Sequence, residues 1–317
     1  MLGLSACGSV EERLQGERLT VDGVPVKGPD KVTIVVPRLD LPAPVTNDVW
    51  LGTGTEHAAL NATVALKWSA NVAIPPGRRH LITAPPIFAS GRLFVLGAQS
   101  DITGLSSSGQ ILWQRDLTPN GENAADASGG ALSYGNGVLY ASTGFGQIVA
   151  LNPENGNTLW RHDTYSSGVS AVTVSGGIAY ATTIDGSALA LDPGNGRILW
   201  EINGTESLAH FAGMTPPAVS SEFAIFPFSS GEILSTFRRG GLRNWVAVVT
   251  GNRVGEAVAS VNDVHTRPII QGGRLYMGNT AGRVMALSMD TGERIWTTLE
   301  GVSGNMVLSG GSLFFVN

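Results

Sequence analysis

Residues 150–160 read A-L-N-P-E-N-G-N-T-L-W, residues 190–200 read A-L-D-P-G-N-G-R-I-L-W, and residues 286–296 read A-L-S-M-D-T-G-E-R-I-W. Glycine, three residues and then tryptophan recur as Gly109/Trp113, Gly156/Trp160, Gly196/Trp200, Gly241/Trp245 and Gly292/Trp296. The tryptophans are spaced by 47, 40, 45 and 51 residues. A period of about 40–50 residues with strand-like content is the signature of propeller blades. One unit displays the grammar. The stretch 170–174 predicts an inner strand, 178–183 a second, 187–192 a third and 197–202 an outer one, with G-G, D-G and P-G-N-G turns between them. The same order is legible at 84–117, 130–164, 217–250 and 268–300. The expected fold is therefore all-β: a β-propeller of four-stranded antiparallel blades.

The repeated phrase is the hairpin between the third and fourth strands. Asn152, Asp192 and Ser288 stand where a short polar side chain bonds the turn backbone. The glycine supplies the left-handed residue, and the tryptophan packs against a neighbouring blade. An indole buries 150–250 Å², or roughly 4–6 kcal/mol as an upper bound. The phrase thus reads as structural docking and not as an active site. The fourth copy, S-T-F-R-R-G-G-L-R-N-W, places Arg and Asn where the others are apolar or neutral, which reads as surface variation. Ahead of the first full unit, residues 62–72 read as an outer strand carrying Trp68 without inner partners. After the fifth unit, 304–317 supplies two strands of a sixth. An orphan outer strand at one end and an unfinished unit at the other lead to the expectation that further blades belong to this propeller.

Composition agrees and excludes. Charged residues make up 14% and glycine numbers 42, which suits many turns and short strands. The net charge is −5 with no basic run, so nucleic acid is not an expected partner. No run approaches the roughly 18 apolar residues of a spanning helix. The single cysteine, Cys7, lies in L-S-A-C-G, which resembles a bacterial lipobox and makes Cys7 a candidate lipidation site. The expected organisation is a truncated lipoprotein signal at 1–7, a flexible tether at 8–48 with a short strand at 32–36, and the propeller from 49 to 317. Membrane association would run through the N-terminal lipid only.

Catalytic signatures are missing. His57, His80, His162, His210 and His265 show no metal-ligand spacing, and neither a G-x-S-x-G elbow nor a phosphate-binding glycine loop occurs. Asn152, Asn155, Asp192 and Asn195 fall in turns, where turn bonding is their expected duty. D-A-S-G-G at 126–130 precedes a strand and is not a phosphate loop. No catalytic residue, cofactor or metal is expected.

The A-x-D-x-x-x-G-x-x-x-W hairpin resembles the docking repeat of quinoprotein-type propellers. Further stretches narrow the match. They are L-S-A-C at the start, G-E-R-L at 16–19, W-L-G-T-G-T-E-H-A-A-L at 50–60, T-A-P-P at 83–86, T-G-F-G at 143–146, P-F-S-S-G-E-I at 227–233 and V-N-D-V-H-T-R-P at 261–268. Together they resemble the BamB family of outer-membrane assembly lipoproteins, in its alphaproteobacterial form. The resemblance implies eight blades and a non-enzymatic scaffold, lipid-anchored on the periplasmic face of the outer membrane. Its implied partners are the POTRA domains of BamA, other subunits of the assembly complex and unfolded outer-membrane proteins. The family's contact loops map onto 203–216 and 251–268. Within them Ser207, Leu208, His210, Phe211, Asn262, Asp263 and His265 are the candidate partner-binding residues. Leu208 and Phe211 are the apolar anchors, and Asp263 matches an acidic position. The first loop lacks the family's arginine, and His210 takes the basic role there. The rival classes are a quinone-dependent dehydrogenase and a propeller adaptor with an unrelated partner.

Overall fold

The computed structural model describes residues 65–72, 81–126, 128–206, 214–251, 264, 266–309 and 311–316. All of them belong to one unit, Leu41–Asn317. Cys7, the 8–48 tether and the strand expected at 32–36 lie outside the described residues.

Five four-stranded antiparallel sheets follow one another along the chain. The first holds β1 (Ile87–Ala89), β2 (Arg92–Leu96), β3 (Asp101–Ser106) and β4 (Ile111–Asp116). The second holds β5 (Gly130–Gly135), β6 (Val138–Thr143), β7 (Gln147–Leu151) and β8 (Thr158–Asp163). The third holds β9 (Thr173–Ser175), β10 (Ile178–Thr182), β11 (Ser187–Leu191) and β12 (Ile198–Asn203). The fourth holds β13 (Ala218–Val219), β14 (Phe223–Pro227), β15 (Glu232–Phe237) and β16 (Arg243–Val248). The fifth holds β17 (Ile269–Gln271), β18 (Arg274–Asn279), β19 (Arg283–Ser288) and β20 (Arg294–Thr298). A two-stranded sheet, β21 (Val307–Ser309) and β22 (Ser312–Phe314), comes last. The propeller expected from the repeat is thus the observed fold.

The middle strands of the second, third and fourth blades are buried on both faces over most of their length, as their apolar runs require. The first strands β1, β5, β9, β13 and β17 stand successively side by side. At their inner side lies an axial cavity of about 280 Å³ whose wall includes Thr83, Ser133, Thr173, Thr215, Arg267 and Asn305, one from each successive unit. The sheets therefore radiate about a common axis. Two boundaries differ from expectation. The inner strand sought at 170–174 is reduced to β9, with Val169 forming only an isolated bridge to Thr183. Residues 65–72 form no strand, because they pair with none of the described strands. They are held instead by Trp68 and by the Thr103 hydroxyl, which donates to the Val72 carbonyl at 2.6 Å.

Five tryptophans reach forward to a glycine turn. The Trp113 ring lies over Gly156, Trp160 over Gly196, Trp200 over Gly241 and Trp245 over Gly292, while Trp68 lies over Gly109. Each indole N–H donates to a carbonyl of the turn it covers. The acceptors are Ser107 for Trp68 (3.1 Å), Pro153 for Trp113 (3.1 Å), Pro193 for Trp160 (2.8 Å), Arg238 for Trp200 (3.2 Å) and Met289 for Trp245 (2.8 Å). Two local features let the ring lie flat. A small residue faces it across the hairpin: Gly104, Ala150, Ala190, Ser235 or Ala286. Immediately beyond that pair every hairpin carries a register shift, so one residue of the outer strand bulges out before the tryptophan. The polar turn residues act as expected: Asn152 Oδ1 accepts from the Glu154 N–H and Asp192 Oδ1 from the Gly194 N–H, both at 2.8 Å.

The fourth copy departs from its reading as surface variation. Arg238 is a clamp between blades. Its guanidinium donates to the carbonyls of Ser175 (2.9 Å), Ser220 and Ser221 (both 3.1 Å), the first in the third blade and the others in the fourth. Its Nε lies 3.4 Å from the Tyr180 hydroxyl. Arg238→Met removes these charge-assisted bonds between the two blades. The expected loss of stability in urea unfolding is about 2–3 kcal/mol. The exposed neighbour Arg239 gives the control, since Arg239→Met should stay within about 0.5 kcal/mol.

Candidate partner-binding face

Function on a rigid ring falls to the segments that the ring projects, and their position follows from strand order. Strand two turns into strand three at a tip, and the outer strand ends beside that tip. Backbone bonds fix the arrangement in four blades. The N–H of Leu117 donates to Ser100 O (3.1 Å), Thr164 to Gly146 O (3.0 Å), Gly204 to Gly186 O (2.8 Å) and Val249 to Gly231 O (2.8 Å). Every blade-to-blade link therefore leaves on the face that carries the tips. The two long loops at 203–216 and 251–268 start there, after β12 and β16.

Their described flanks are tied to the ring and to each other. At the start of the first loop, the Thr205 hydroxyl donates to the Glu232 carboxylate at the next blade's tip. At its end, the Thr215 hydroxyl donates to the Val264 carbonyl, which belongs to the second loop. Thr215 O accepts in turn from the Thr182 hydroxyl at 3.3 Å. At the start of the second loop, Asn279 Nδ2 donates to Val249 O (3.0 Å) and Arg283 Nε to Thr250 O (2.9 Å). The loops are thus anchored at both ends and joined at Thr215–Val264. Ser207, Leu208, His210, Phe211, Asn262, Asp263 and His265 lie outside the described residues.

Asp163, Asp185 and Glu206 are exposed at the outer-strand ends and tips of this face. Burial pushes the His162 imidazole below its ordinary value, against the nearby Asp163 and Glu201 carboxylates, which raise it. His162 therefore adds no full positive charge at neutral pH. Arg267, at the end of the second loop, lines the axial cavity, and desolvation lowers its pKa. Sequence reasoning passed over two residues here. Arg267 stands in a loop motif whose sequence does not show that it turns to the axis. Tyr165, in the short link after β8, is 95% exposed. Its only sequence signal is an aromatic residue ahead of S-S-G.

Among the described residues no three His, Cys, Asp or Glu side chains gather to hold a metal ion. Asn155 and Asn195 are engaged in their own turns, accepting from the Asn157 and Arg197 N–H groups at 2.9 and 3.0 Å. No helix among the described residues is long and apolar enough to cross a membrane.

Comparison with known proteins places this geometry. The family model described as outer membrane protein assembly factor BamB matches residues 98–317. Outer membrane protein assembly factor BamB of Alteromonas naphthalenivorans is 25% identical over 269 residues, covering 80% of this chain and 64% of its own. The protein of the same name in Salmonella typhimurium is 29% identical over 235 residues, covering 73% of this chain and 58% of its own. The chain thus spans less than two thirds of the length of either relative. The crystal structure of BamB from Moraxella catarrhalis superposes with a TM-score of 0.57 at 18% identity, over 70% of this chain and 66% of that one, and so shares the fold. With the matching model spanning every blade but the start of the first, the chain belongs to the family of outer membrane protein assembly factor BamB.

Proposed function

We propose that this chain is a non-enzymatic scaffold of the outer-membrane β-barrel assembly complex. It is held by lipid on Cys7 at the periplasmic face of the outer membrane, and it binds the POTRA domains of BamA. Family membership supports the assignment. The observation that carries the site is the junction of the two long loops: both leave beside blade tips, and Thr215 and Val264 tie their ends together. One partner surface can then touch both loops without deforming the ring. Such preorganisation lowers the ordering cost of association. In this reading Leu208 and Phe211 fill apolar pockets of the partner, while Asp263, Asn262, Ser207, His210 and His265 make the polar contacts. Other complex subunits and unfolded outer-membrane proteins would use the remaining surface.

The test is titration of the purified chain with purified BamA POTRA domains. Leu208→Ala combined with Asp263→Lys should weaken the Kd by about 30-fold or more, as loss of an apolar anchor and a charge contact does. The melting temperature should stay within about 2 °C, because neither residue belongs to the glycine–tryptophan repeat that docks the blades. Unchanged affinity would remove the loop assignment, and no binding by the unaltered chain would remove the scaffold reading.

A further inference from the structure

The link between the second and third blades, residues 163–169, is short, ordered and odd in one respect. Tyr165 points an aromatic ring almost wholly into solvent from a backbone with φ of +55°. A left-handed conformation is unfavourable for a bulky residue unless its surroundings impose it. Here they do. The Thr164 N–H and hydroxyl both donate to Gly146 O, at 3.0 and 2.6 Å. Asp163 Oδ1 accepts from the Tyr165 N–H at 2.9 Å. Ser166 is buried, with its carbonyl packed against Gly146 so closely that a methyl group there would lie 1.6 Å away. The link is pinned on both sides of Tyr165, and the ring itself touches nothing that repays its exposure.

This link is continuous with the proposed binding face. Gly168 O accepts from the Ile184 N–H at 3.0 Å, which ties it to the third blade's tip. Gly168 also lies against Met214, the last residue before Thr215 and its bond to Val264. One strip of contacts therefore runs from Tyr165 through Ile184 and Met214 to the junction of the two long loops. Among the described residues, the exposed carboxylates Asp163, Asp185 and Glu206 stand at the strand ends and tips of this face, while Arg267 shares the axial lining with Met214 and Thr215. Arg161, on the same strand as Asp163, is turned to Leu117 O (2.9 Å) and Gln147 Oε1 (3.3 Å).

We infer that Tyr165 is a third anchor of the partner-binding face, seating its ring in an apolar pocket of a protein partner whose surrounding surface is basic. The inference rests on the scaffold reading above and extends its site from two links to three. A tyrosine fixed before binding offers a large contact area with little side-chain entropy to lose, which is why tyrosines concentrate at interface hot spots. The carboxylates favour a basic protein surface and repel an anionic lipid headgroup layer.

The experiment titrates the full chain and its Tyr165→Ser, Tyr165→Phe, Tyr165→Gly and Leu208→Ala variants with purified BamA POTRA domains. Each variant is also melted, and each is sedimented with phosphatidylethanolamine–phosphatidylglycerol vesicles. The expected result is a Kd weakened about 10- to 30-fold by Ser and Gly and retained within about 3-fold by Phe. The Gly variant should melt no lower than the parent, since glycine adopts this φ freely. If the parent binds and Tyr165→Ser stays within about 2-fold while Leu208→Ala weakens, the anchor is overturned and the scaffold reading survives. If the parent binds no POTRA domain, both fall. Weakening matched by a large drop in melting temperature, or vesicle binding that depends on Tyr165, would overturn the anchor by making it a structural or a lipid contact.

Discussion

Trp200→Ala should lower the unfolding free energy by about 3–5 kcal/mol, whereas Trp296→Ala should cost about 1 kcal/mol or less, although both occupy the same place in the repeat. The difference comes from what lies in front of each ring. Trp200 covers Gly241 in the next blade and packs edge-on against Phe226 at 5.7 Å, and its N–H donates to Arg238 O. Its removal empties space shared by two blades and takes the nearer of two donors from the Arg238 carbonyl, which keeps the Tyr180 hydroxyl at 3.4 Å. Trp296 faces Ala286 across the same bulged hairpin and stands 6.1 Å from Tyr276. Yet it is 36% exposed, and no glycine turn covers it among the described residues. Urea unfolding followed by circular dichroism reads both losses. Equal costs would mean that forward docking on glycine is not what holds neighbouring blades together.

The blade was legible because its signals are local. Each hairpin announces itself by a glycine or a short polar side chain acting within a few residues, and the middle strands by unbroken apolar runs. The direction of docking was not legible. In the phrase, Gly196 and Trp200 look like partners, yet the ring over Gly196 is Trp160 and the ring of Trp200 lies over Gly241. That pairing depends on the rotation from blade to blade, which no short window contains. The bulge before each tryptophan was hidden for a related reason: it is a property of two strands in register.

Arg238 shows where repeat logic misleads. At its position the other copies carry turn residues, so a charged substitution reads as surface. In three dimensions the Ser175 and Ser220 carbonyls converge beside it, and a guanidinium is the group with enough donors to serve them at once. Gly176, a turn residue by sequence, is the space that this side chain fills, since a methyl group there would lie 1.7 Å from the Arg238 guanidinium. The two loops proposed to bind a partner stand out in the sequence through the family resemblance and through their length. Length reports that a segment exceeds what a blade-to-blade link needs. It carries no signal for a short link such as 163–169, whose distinguishing feature is a backbone angle imposed by Gly146 and Ser166.

Gly196→Ala should cost about 2–5 kcal/mol, a large effect for one added methyl group. Two terms combine. Gly196 has a φ of +73°, which costs an L-residue roughly 1–2 kcal/mol. The new methyl group would also lie 2.5 Å from the Trp160 ring, so the indole must shift from a packed site, at roughly 1–3 kcal/mol. Gly137→Ala isolates the first term, because Gly137 has a φ of +80° with nothing within 4 Å of an added methyl group. Its expected cost is about 1–2 kcal/mol. A double-mutant cycle isolates the second. In a Trp160→Ala background the steric conflict is gone, so Gly196→Ala should cost no more than Gly137→Ala does. The resulting coupling of about 1–3 kcal/mol between residues 196 and 160 would be the energetic signature of one blade's indole resting on the next blade's turn. Additive costs would sever that contact, and with it the account of why glycine and tryptophan recur together along this chain.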